Sequence, residues 1–531
     1  MRRMLCALTG CGLALAASAS AGPRAPVPEK PAAVTATTFF VSGRGWGHGV
    51  GMSQYGALGY AQDGWTYDQI LGHFYTGAEL GPAPVARVRV LVGEARASVK
   101  LRSAAGFRIR DVFGTAYPFP AGELVLGPKL RVQVNGAPTE LAGPLVVLPG
   151  AAPLELDVPY RGQLEVAVAG GKLNVVNVVG LEQYLAGVVP KEMPSAWPDE
   201  ALKAQAVAAR SYALAHRLEG KGYDLYADVR SQVYGGVPAE SPRATAAVNA
   251  TKGEVLLWEG KPIDALFHST SGGATVDAAE VFGKPVPYLV GVADPHSDLS
   301  PVHRWGPTPV SGAVLRKGLG LRVPVTGLKL MRAPSGRVAT AQVLTTTGST
   351  RVNGTALRSA GGIRSTWITS LASLSLTRPG GPAVYGKAVV LAAKAANVKG
   401  AVIERRVGTL WQPASRPGVA PRATAKLLEP ATFRVTAGKL VGPVLKVPVA
   451  PVVTARASGG LTVTGTVRPL DPGATVELQV DSERGWFTTA TTTTGPGGSF
   501  TLALPEPGRY RARVAPVQGF AEGLSGQFEL S

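Results

Sequence analysis

A single carboxylate just ahead of a well-marked helix makes residues 181–216 the stretch best suited to chemistry. The carboxylate is Glu192, and the helix is predicted to begin at Pro198, because proline suits the first helical position and acidic residues follow it. Lys203 and Arg210 follow two turns apart, roughly 10 Å along the helix axis. This spacing predicts that both cations border the space beside Glu192, although composition alone favours surface cations and an ordinary solvated acid.

A glycine-rich run, residues 43–57 (GRGWGHGVGMSQYGA), is the second unusual motif. Glycine occupies every second position from 43 to 51, which permits another group to approach this backbone closely. The spacing does not match G-x-G-x-x-G, so a nucleotide cradle is not predicted. His48 and Gln54 are placed beside the loop.

Both motifs resemble the hallmarks of the SpoIID/LytB family of peptidoglycan-acting proteins: PKEMPSAWPDEALKAQAVAARSYA at residues 190–213, and GxGHGxGMSQ at residues 45–54. The resemblance implies that Glu192 is the catalytic acid of a lytic transglycosylase. It also implies supporting roles for Lys203 and Arg210, and a place for His48 in the groove that binds substrate. Gln54 is assigned to the same group.

Two further segments follow the family pattern in order, residues 228–236 and residues 267–273 (FHSTSGG). Their side chains are interpreted as substrate hydrogen-bonding groups, namely Gln232, Tyr234, His268, Ser269 and Ser271. A serine hydrolase is not predicted, because the G-x-S-x-G elbow is absent. No H-E-x-x-H motif is present, and the mature chain would lack cysteine, so neither a metal nor another cofactor is predicted.

The order of the motifs departs from the commoner family order, in which the glycine-rich loop follows the Glu-Met-Pro helix. Residues 351–358 and 363–367 resemble the segment that normally leads into that loop. A circular permutation is therefore predicted, with residues 38–42 pairing near residues 365–375.

The N-terminus predicts export to the cell wall or envelope. Residues 1–21 have the layout of a signal peptide, with a basic start, an apolar run and small residues before Gly22. A lipoprotein anchor at Cys11 is the alternative. Cys6 and Cys11 both lie in this segment, and no other apolar stretch is long enough to span a bilayer.

The chain is strongly basic, with a formal net charge of +19 over 531 residues. Such a charge favours anionic partners. Nucleic acid is not predicted, because an exported chain more often meets anionic wall polymer or lipid headgroups. The cations form no dense block, so the charge is only weak support. The resemblance implies peptidoglycan glycan strands as the partner, together with anionic wall polymers or other wall hydrolases.

The predicted fold class is α+β, a SpoIID-like domain with β-rich flanks followed by two β-sandwich, immunoglobulin-like modules. Trp411 and Trp486 each precede a similar element, EPATFR or EPGRYR, which indicates a tandem repeat. The predicted divisions are a signal peptide (1–21), a flexible leader (22–37), the SpoIID/LytB-like domain (38–376), a linker (377–382) and the two modules (383–450 and 451–531). The domain divides into the glycine-rich motif (38–80), a β-rich part (81–180), the core with the Glu-Met-Pro helix (181–310) and a β-rich end (311–376).

The predicted activity is cleavage of peptidoglycan between MurNAc and GlcNAc with 1,6-anhydro ends. Two alternatives stay open from the sequence. One is a non-catalytic peptidoglycan-binding protein or amidase enhancer, and the other is a surface adhesin whose C-terminal modules do the binding.

Overall fold

The computed structural model describes residues 31–469 and 472–531. The predicted signal peptide, both cysteines and most of the predicted leader lie outside the described residues. The described part mixes helices with a larger number of strands, which confirms the α+β class. Within it, no helix is both long enough and apolar enough to cross a bilayer.

The glycine-rich motif connects a long strand to two helices. Ser53 caps the first helix, its Oγ accepting a hydrogen bond from the Gly56 N–H at 3.2 Å. A capping box formed by Thr66 and Gln69 begins the second helix. The elements are β1 (Val34–Arg44), β2 (Met52–Ser53), α1 (Gln54–Gln62), α2 (Tyr67–Phe74) and β3 (Glu79–Pro82).

Residues 87–180 form the β-rich part, and alternating burial along its strands produces one apolar core. In the strand Val99–Ser103, for example, Val99, Leu101 and Ser103 are buried while the residues between them are exposed. The strands are β4 (Arg87–Arg96), β5 (Val99–Ser103), β6 (Phe107–Arg110), β7 (Ala116–Phe119), β8 (Gly122–Leu126), β9 (Arg131–Val134), β10 (Ala137–Glu140), β11 (Leu145–Leu148), β12 (Leu154–Glu155), β13 (Pro159–Tyr160), β14 (Gln163–Ala169) and β15 (Lys172–Gly180).

The helical part begins directly at the end of β15. Its elements are α3 (Leu181–Glu192), α4 (Asp199–Ala215), β16 (Leu225–Tyr226), α5 (Pro242–Ala250), β17 (Glu254–Trp258), β18 (Lys261–Pro262), β19 (Phe267–His268), α6 (Ala278–Phe282) and β20 (Arg304–Ser311). A seven-stranded sheet, β16-β4-β15-β14-β11-β6-β7, supports α3. Helix α4 lies between two apolar cores, because its alanines allow close approach on more than one side.

The β-rich end closes on β1. It contains α7 (Gly312–Gly318), β21 (Val325–Arg332), β22 (Val338–Thr345), β23 (Ser349–Asn353), α8 (Gly354–Gly361) and β24 (Ile368–Arg378). Strand β1 lies between β20 and β24, and Thr38 to Ser42 pair with Leu374 to Ser370 in antiparallel register. The pairing predicted from the order of the motifs is therefore confirmed.

The first C-terminal module shares a sheet with the preceding domain. Its strands are β25 (Ala383–Val384), β26 (Ala388–Ala396), β27 (Val402–Val407), β28 (Leu410–Pro413), β29 (Arg422–Lys426), β30 (Ala431–Ala437), β31 (Leu440–Val447) and β32 (Val449–Ala450). Strand β26 pairs with β24 across the predicted linker, in the sheet β20-β1-β24-β26-β29. Phe40, Leu374 and Leu376 share one core with residues of the module, so residues 383–450 have no separate core.

The second module has its own core, built around Phe500 and Tyr510. It contains β33 (Val452–Gly459), β34 (Thr462–Arg468), β35 (Thr475–Ser482), β36 (Gly485–Thr493), β37 (Ser499–Ala503), β38 (Gly508–Val514), β39 (Gly523–Leu524) and β40 (Phe528–Leu530). The two modules share a cation–π contact at corresponding positions. The Arg434 guanidinium lies 4.4 Å from the ring centre of Trp411, and the Arg511 guanidinium lies 4.3 Å from that of Trp486. An immunoglobulin-like identity for the modules stays a prediction.

Candidate active site

Glu192 is the last residue of α3, and its side chain is partly buried. The helix continues through Pro190 to its end at Glu192. Burial raises the pKa of the Glu192 carboxyl above its ordinary value, and no cation opposes that effect. The C-terminal end of a helix carries partial negative charge, which also disfavours ionisation there. The carboxyl therefore keeps its proton to a higher pH than an exposed glutamate does.

Gln54, the first residue of α1, ties the glycine-rich loop to the end of α3. Its Nε2 donates to the Glu192 carbonyl at 3.0 Å and to the Gln205 Oε1 at 3.2 Å. One side chain thus joins α1, α3 and α4. The structure brings the loop motif and the Glu-Met-Pro motif together at this point.

Two phenols lie within electrostatic reach of the Glu192 carboxyl. Burial raises the pKa of Tyr184 and of Tyr212, and the charge of Glu192 adds to the effect at both. The Tyr184 hydroxyl donates to Gln232 Oε1 at 3.2 Å, while Gln232 Nε2 is buried without a partner. Gln232 is therefore a buried residue that contacts the Tyr184 hydroxyl.

His48 and His268 fix the loop against β19 as neutral rings. His48 Nδ1 accepts from the Val50 N–H at 3.1 Å, so its Nε2 is the atom that donates to the Phe267 carbonyl at 3.1 Å. His268 Nδ1 lies 3.1 Å from the Val50 carbonyl, and its Nε2 is buried without a partner. Burial, followed by the charge of Arg358, lowers the pKa of His48 to about 4.

Burial also lowers the pKa of His268 well below its ordinary value. Neither histidine is therefore in its charged, doubly protonated form near neutral pH. Their rings lie 5.4 Å apart, and both serve to hold the loop.

The close approach predicted for the glycine-rich backbone is made by the chain itself. A Cβ on Gly47 would lie 2.6 Å from the His268 Cβ, and one on Gly51 would lie 2.0 Å from the Leu266 carbonyl. Both glycines have positive φ, +121° and +68° respectively. The loop is therefore packed against residues 266–271.

The prediction that Lys203 and Arg210 border Glu192 is wrong. Arg210 has no exposed surface; its Nη2 lies 2.5 Å from Glu182 Oε2, and its Nη1 donates to the Glu254 carbonyl at 2.9 Å. Lys203 pairs with Glu200 at 2.6 Å. At about 100° per residue, these two cations occupy the side of α4 opposite Gln205 and Tyr212, which are the residues that approach the site.

Tyr234 and Ser271 were also predicted to bind substrate, and the structure buries both. The Tyr234 hydroxyl donates to Asn177 Oδ1 at 3.0 Å, and its ring belongs to the core. Ser271 Oγ donates to Asp294 Oδ2 at 2.5 Å and has no exposed surface. Both residues support the fold from positions that a substrate does not reach.

Ser269 keeps accessible surface at the edge of the site. Its carbonyl accepts from the Tyr55 N–H at 3.1 Å, and the Tyr55 ring meets Trp197 edge-on at 4.9 Å. Tyr55, Tyr184 and Tyr212 were missed as site residues. Helical spacing could have found Tyr212, because it lies about two turns from Gln205 on the same face of α4.

The fold and the site together define a domain in which an acid at a helix end meets a glycine-rich loop. Residues 169–258, which include Glu192 and α4, match the family model SpoIID, Stage II sporulation protein. This part of the chain is therefore similar to the SpoIID family.

Two of the similar proteins are named Stage II sporulation protein D and Amidase enhancer. The chain is 31% identical over 188 residues to Stage II sporulation protein D of Bacillus subtilis, covering 32% of this chain and 54% of that protein. It is 43% identical over 110 residues to the Amidase enhancer of Bacillus subtilis, covering 21% of this chain and 15% of that protein.

A third similar protein, Stage II sporulation protein D of Bacillus amyloliquefaciens, is 31% identical over 228 residues, covering 39% of this chain and 65% of that protein. The chain therefore spans less than two thirds of each of these relatives.

Proposed function

We propose that this chain is an exported cell-wall protein that cleaves peptidoglycan glycan strands between MurNAc and GlcNAc by lytic transglycosylation. Glu192 is the single catalytic acid in this proposal. One observation carries it: a partly exposed carboxyl at a helix end has its pKa raised by burial, with no cation to oppose the shift. A carboxyl whose pKa is raised above its ordinary value is suited to donate a proton to a leaving group.

The chemistry needs only one carboxyl because the substrate supplies its own nucleophile. Glu192 gives its proton to the glycosidic oxygen as the bond from that oxygen to MurNAc C1 breaks. The 6-hydroxyl of the same MurNAc then attacks C1, and Glu192 takes the hydroxyl proton, which restores the acid. The product is a 1,6-anhydro end, and proximity within one sugar replaces a positioned water molecule.

The surroundings of Glu192 support this assignment. Tyr184 and Tyr212 stay neutral near pH 7, because burial and nearby charge raise the pKa of each. Gln54 fixes the main chain of Glu192 against the loop. These contacts hold the acid without ionising it, in contrast to glycosidases that use a second carboxylate.

The names of the relatives support a role at the cell wall, and the predicted signal peptide at residues 1–21 supports export. Similarity to the Amidase enhancer also supports a second candidate function, in which the chain binds peptidoglycan and modulates another wall hydrolase without cleaving glycan itself. The formal net charge of +19 is compatible with an anionic wall polymer as a partner under either candidate function.

Product analysis separates the two functions. The mature chain and its Glu192→Gln variant are incubated with intact sacculi and with sacculi stripped of stem peptides, and soluble sugars are analysed by mass spectrometry. We expect anhydro-ended sugars from the parent and a loss of at least about 100-fold in the variant, since that is a typical contribution of general acid catalysis. The matched control is Glu219→Gln, which changes an exposed acid outside the site.

The absence of anhydro sugars from the parent on both substrates would overturn the enzyme proposal. Equal stimulation of a wall amidase by the parent and by Glu192→Gln would then favour the second function.

A further inference from the structure

Four arginines surround the glycine-rich loop without an acidic partner. Among the described residues, Arg44, Arg337, Arg358 and Arg364 form no ion pair, whereas many arginines elsewhere do, Arg210 included. Arg44 lies at the start of the loop, and Arg364 is hydrogen-bonded to it, because its carbonyl accepts from the Gly47 N–H at 3.0 Å. Arg358 Nε donates to that same Arg364 carbonyl at 3.1 Å. Positive charge is therefore concentrated here.

Part of this charge is buried with its hydrogen-bonding capacity unused. Arg337 is 3% exposed; its Nη2 donates to the Ser271 carbonyl at 2.7 Å, while Nε and Nη1 have no partner. Burial lowers the pKa of Arg337 to about 10, so the group is charged near neutral pH. Arg44 Nε is likewise buried without a partner. Buried cations left unpaired in this way favour the approach of an anion.

The acids near the loop do not neutralise it. Glu280 raises the pKa of Arg337, but its carboxylate is bound by the Ser335 hydroxyl and by the Ser335 N–H at 3.3 Å. Asp264 acts weakly on His48 and lies 2.7 Å from the ring of His216. After burial, the charges of Arg358 and Arg337 contribute to the lowered pKa of His48, which places this loop in a positively charged environment.

An exposed indole lies inside this positive field. Trp46 is 47% exposed, although its backbone is fixed by two hydrogen bonds with Thr270, at 2.8 Å and 3.1 Å. The Arg364 guanidinium lies 4.9 Å from the centre of its ring. A rigid aromatic face is suited to stack on a sugar, and a planar guanidinium is suited to bind a carboxylate with two parallel hydrogen bonds.

We propose that Trp46 and Arg364 form a subsite for an acidic sugar, whose ring stacks on the indole and whose carboxylate pairs with the guanidinium. This inference rests on the proposed function, because MurNAc is the sugar of the glycan that carries a carboxylate, on its lactyl group. Trp46 and Gln54 lie at the two ends of one loop, and Gln54 contacts Glu192. In this proposal a glycan strand lies along the loop between the subsite and the acid.

Binding to the full mature chain carrying Glu192→Gln tests the subsite without turnover. Calorimetry compares a GlcNAc–MurNAc tetrasaccharide with chitotetraose, which has similar rings and no carboxylate. We expect the acidic sugar to bind about tenfold tighter, because a hydrogen bond to a charged group contributes at least that factor. Adding Arg364→Gln should remove the preference and leave the affinity for chitotetraose unchanged, whereas Trp46→Ala should weaken both ligands.

The matched control is Arg416→Gln, which removes an exposed arginine of the first C-terminal module and should change neither affinity. Circular dichroism confirms that each variant is folded. Equal affinity for the two sugars, or a preference that survives Arg364→Gln, overturns the proposal. Binding of poly(glycerol phosphate) that depends on Arg364, without a preference for the acidic sugar, also overturns it and assigns the cluster to phosphate polymers.

The outcome is separable from that of the proposed function. A preference for the acidic sugar without anhydro products from the parent chain keeps the subsite and removes the enzyme. Anhydro products from the parent chain without such a preference keep the enzyme proposal and remove the subsite.

Discussion

Glu192 combines a position suited to acid catalysis with a cost in stability. Its pKa is raised in the folded chain by burial, whereas in the unfolded chain it titrates near the ordinary value of 4.5. The folded state therefore holds the proton more tightly, and stability falls as the pH rises from about 4.5 through the raised pKa. Above that window the folded chain contains an ionised carboxylate that burial disfavours.

Glu192→Gln should consequently stabilise the protein at pH 8 and have no such effect at pH 4, where the native carboxyl is already neutral. Urea unfolding of both chains at the two pH values measures this difference. Glu219→Gln, an exposed change of the same type, should show no pH-dependent gain. A variant that is less stable than its parent at pH 8 would contradict burial as the cause of the raised pKa.

The sequence predicted which motifs form the site more readily than the direction in which individual side chains point. The contact between Gln54 and the end of α3 agrees with the placement of two motifs at one site. The spacing of Lys203 and Arg210 correctly indicated a shared face of α4, but not that this face lies away from Glu192. Alanines on several sides of the helix leave no single apolar stripe to fix its orientation, so tertiary packing decides it.

At the scale of elements, β1 joins two cores through consecutive residues. Phe39 packs in the core of residues 305–371, and Phe40 packs in the core shared with residues 383–450. Side chains alternate across a strand, so the two rings point to opposite faces of the sheet. The central position of β1, between β20 and β24, makes it the strand that connects these two parts of the chain.

Phe39→Ala and Phe40→Ala should each cost about 3–5 kcal/mol, the usual range for removing a buried phenylalanine side chain. Limited proteolysis should distinguish them, with new cleavage within residues 312–363 for the first variant and within residues 383–450 for the second. Val34→Ala, at an exposed end of the same strand, is the matched control and should cost much less. Identical cleavage patterns for both variants would show that the two cores unfold as one unit.

The order of motifs predicted the pairing of β1 with β24, whereas the local pattern at residues 377–382 did not predict that strands pair across this segment. A Pro-Gly run is typical of a domain boundary, but strand pairing is set by contacts distant in sequence. Strand β26 pairs with β24 beyond that run, and no local signal in the run reveals this. We interpret the pairing of β1 as support for a circular permutation, which stays a proposal.

At the scale of the whole molecule, the two C-terminal modules differ in how they depend on the rest. Both contain an arginine stacked on a tryptophan. In each module the two residues lie on strands that flank a common neighbour, β27 in the first module and β35 in the second. Only the second has a core formed entirely by residues after 452. The first completes its core with Phe40, Leu374 and Leu376.

Two shortened chains test this dependence, one ending at residue 382 and the other at residue 450. The shorter chain should aggregate and bind a hydrophobic dye, because it exposes Phe40, Leu374 and Leu376 and leaves β24 as an unpaired edge. The longer chain should stay monomeric with its main unfolding midpoint preserved, since the core it loses is separate. Size-exclusion chromatography and thermal unfolding measure both outcomes.

A monomeric, equally stable chain ending at residue 382 would show that the shared sheet contributes little to the fold. This result also decides how a deletion can test whether the C-terminal modules bind a surface partner. If the shared core is essential, deleting residues 383–531 removes binding by unfolding the whole domain, whatever the modules recognise. Deleting only residues 451–531 leaves the Glu192 site and its supporting sheets in place, so a loss of binding then belongs to the second module.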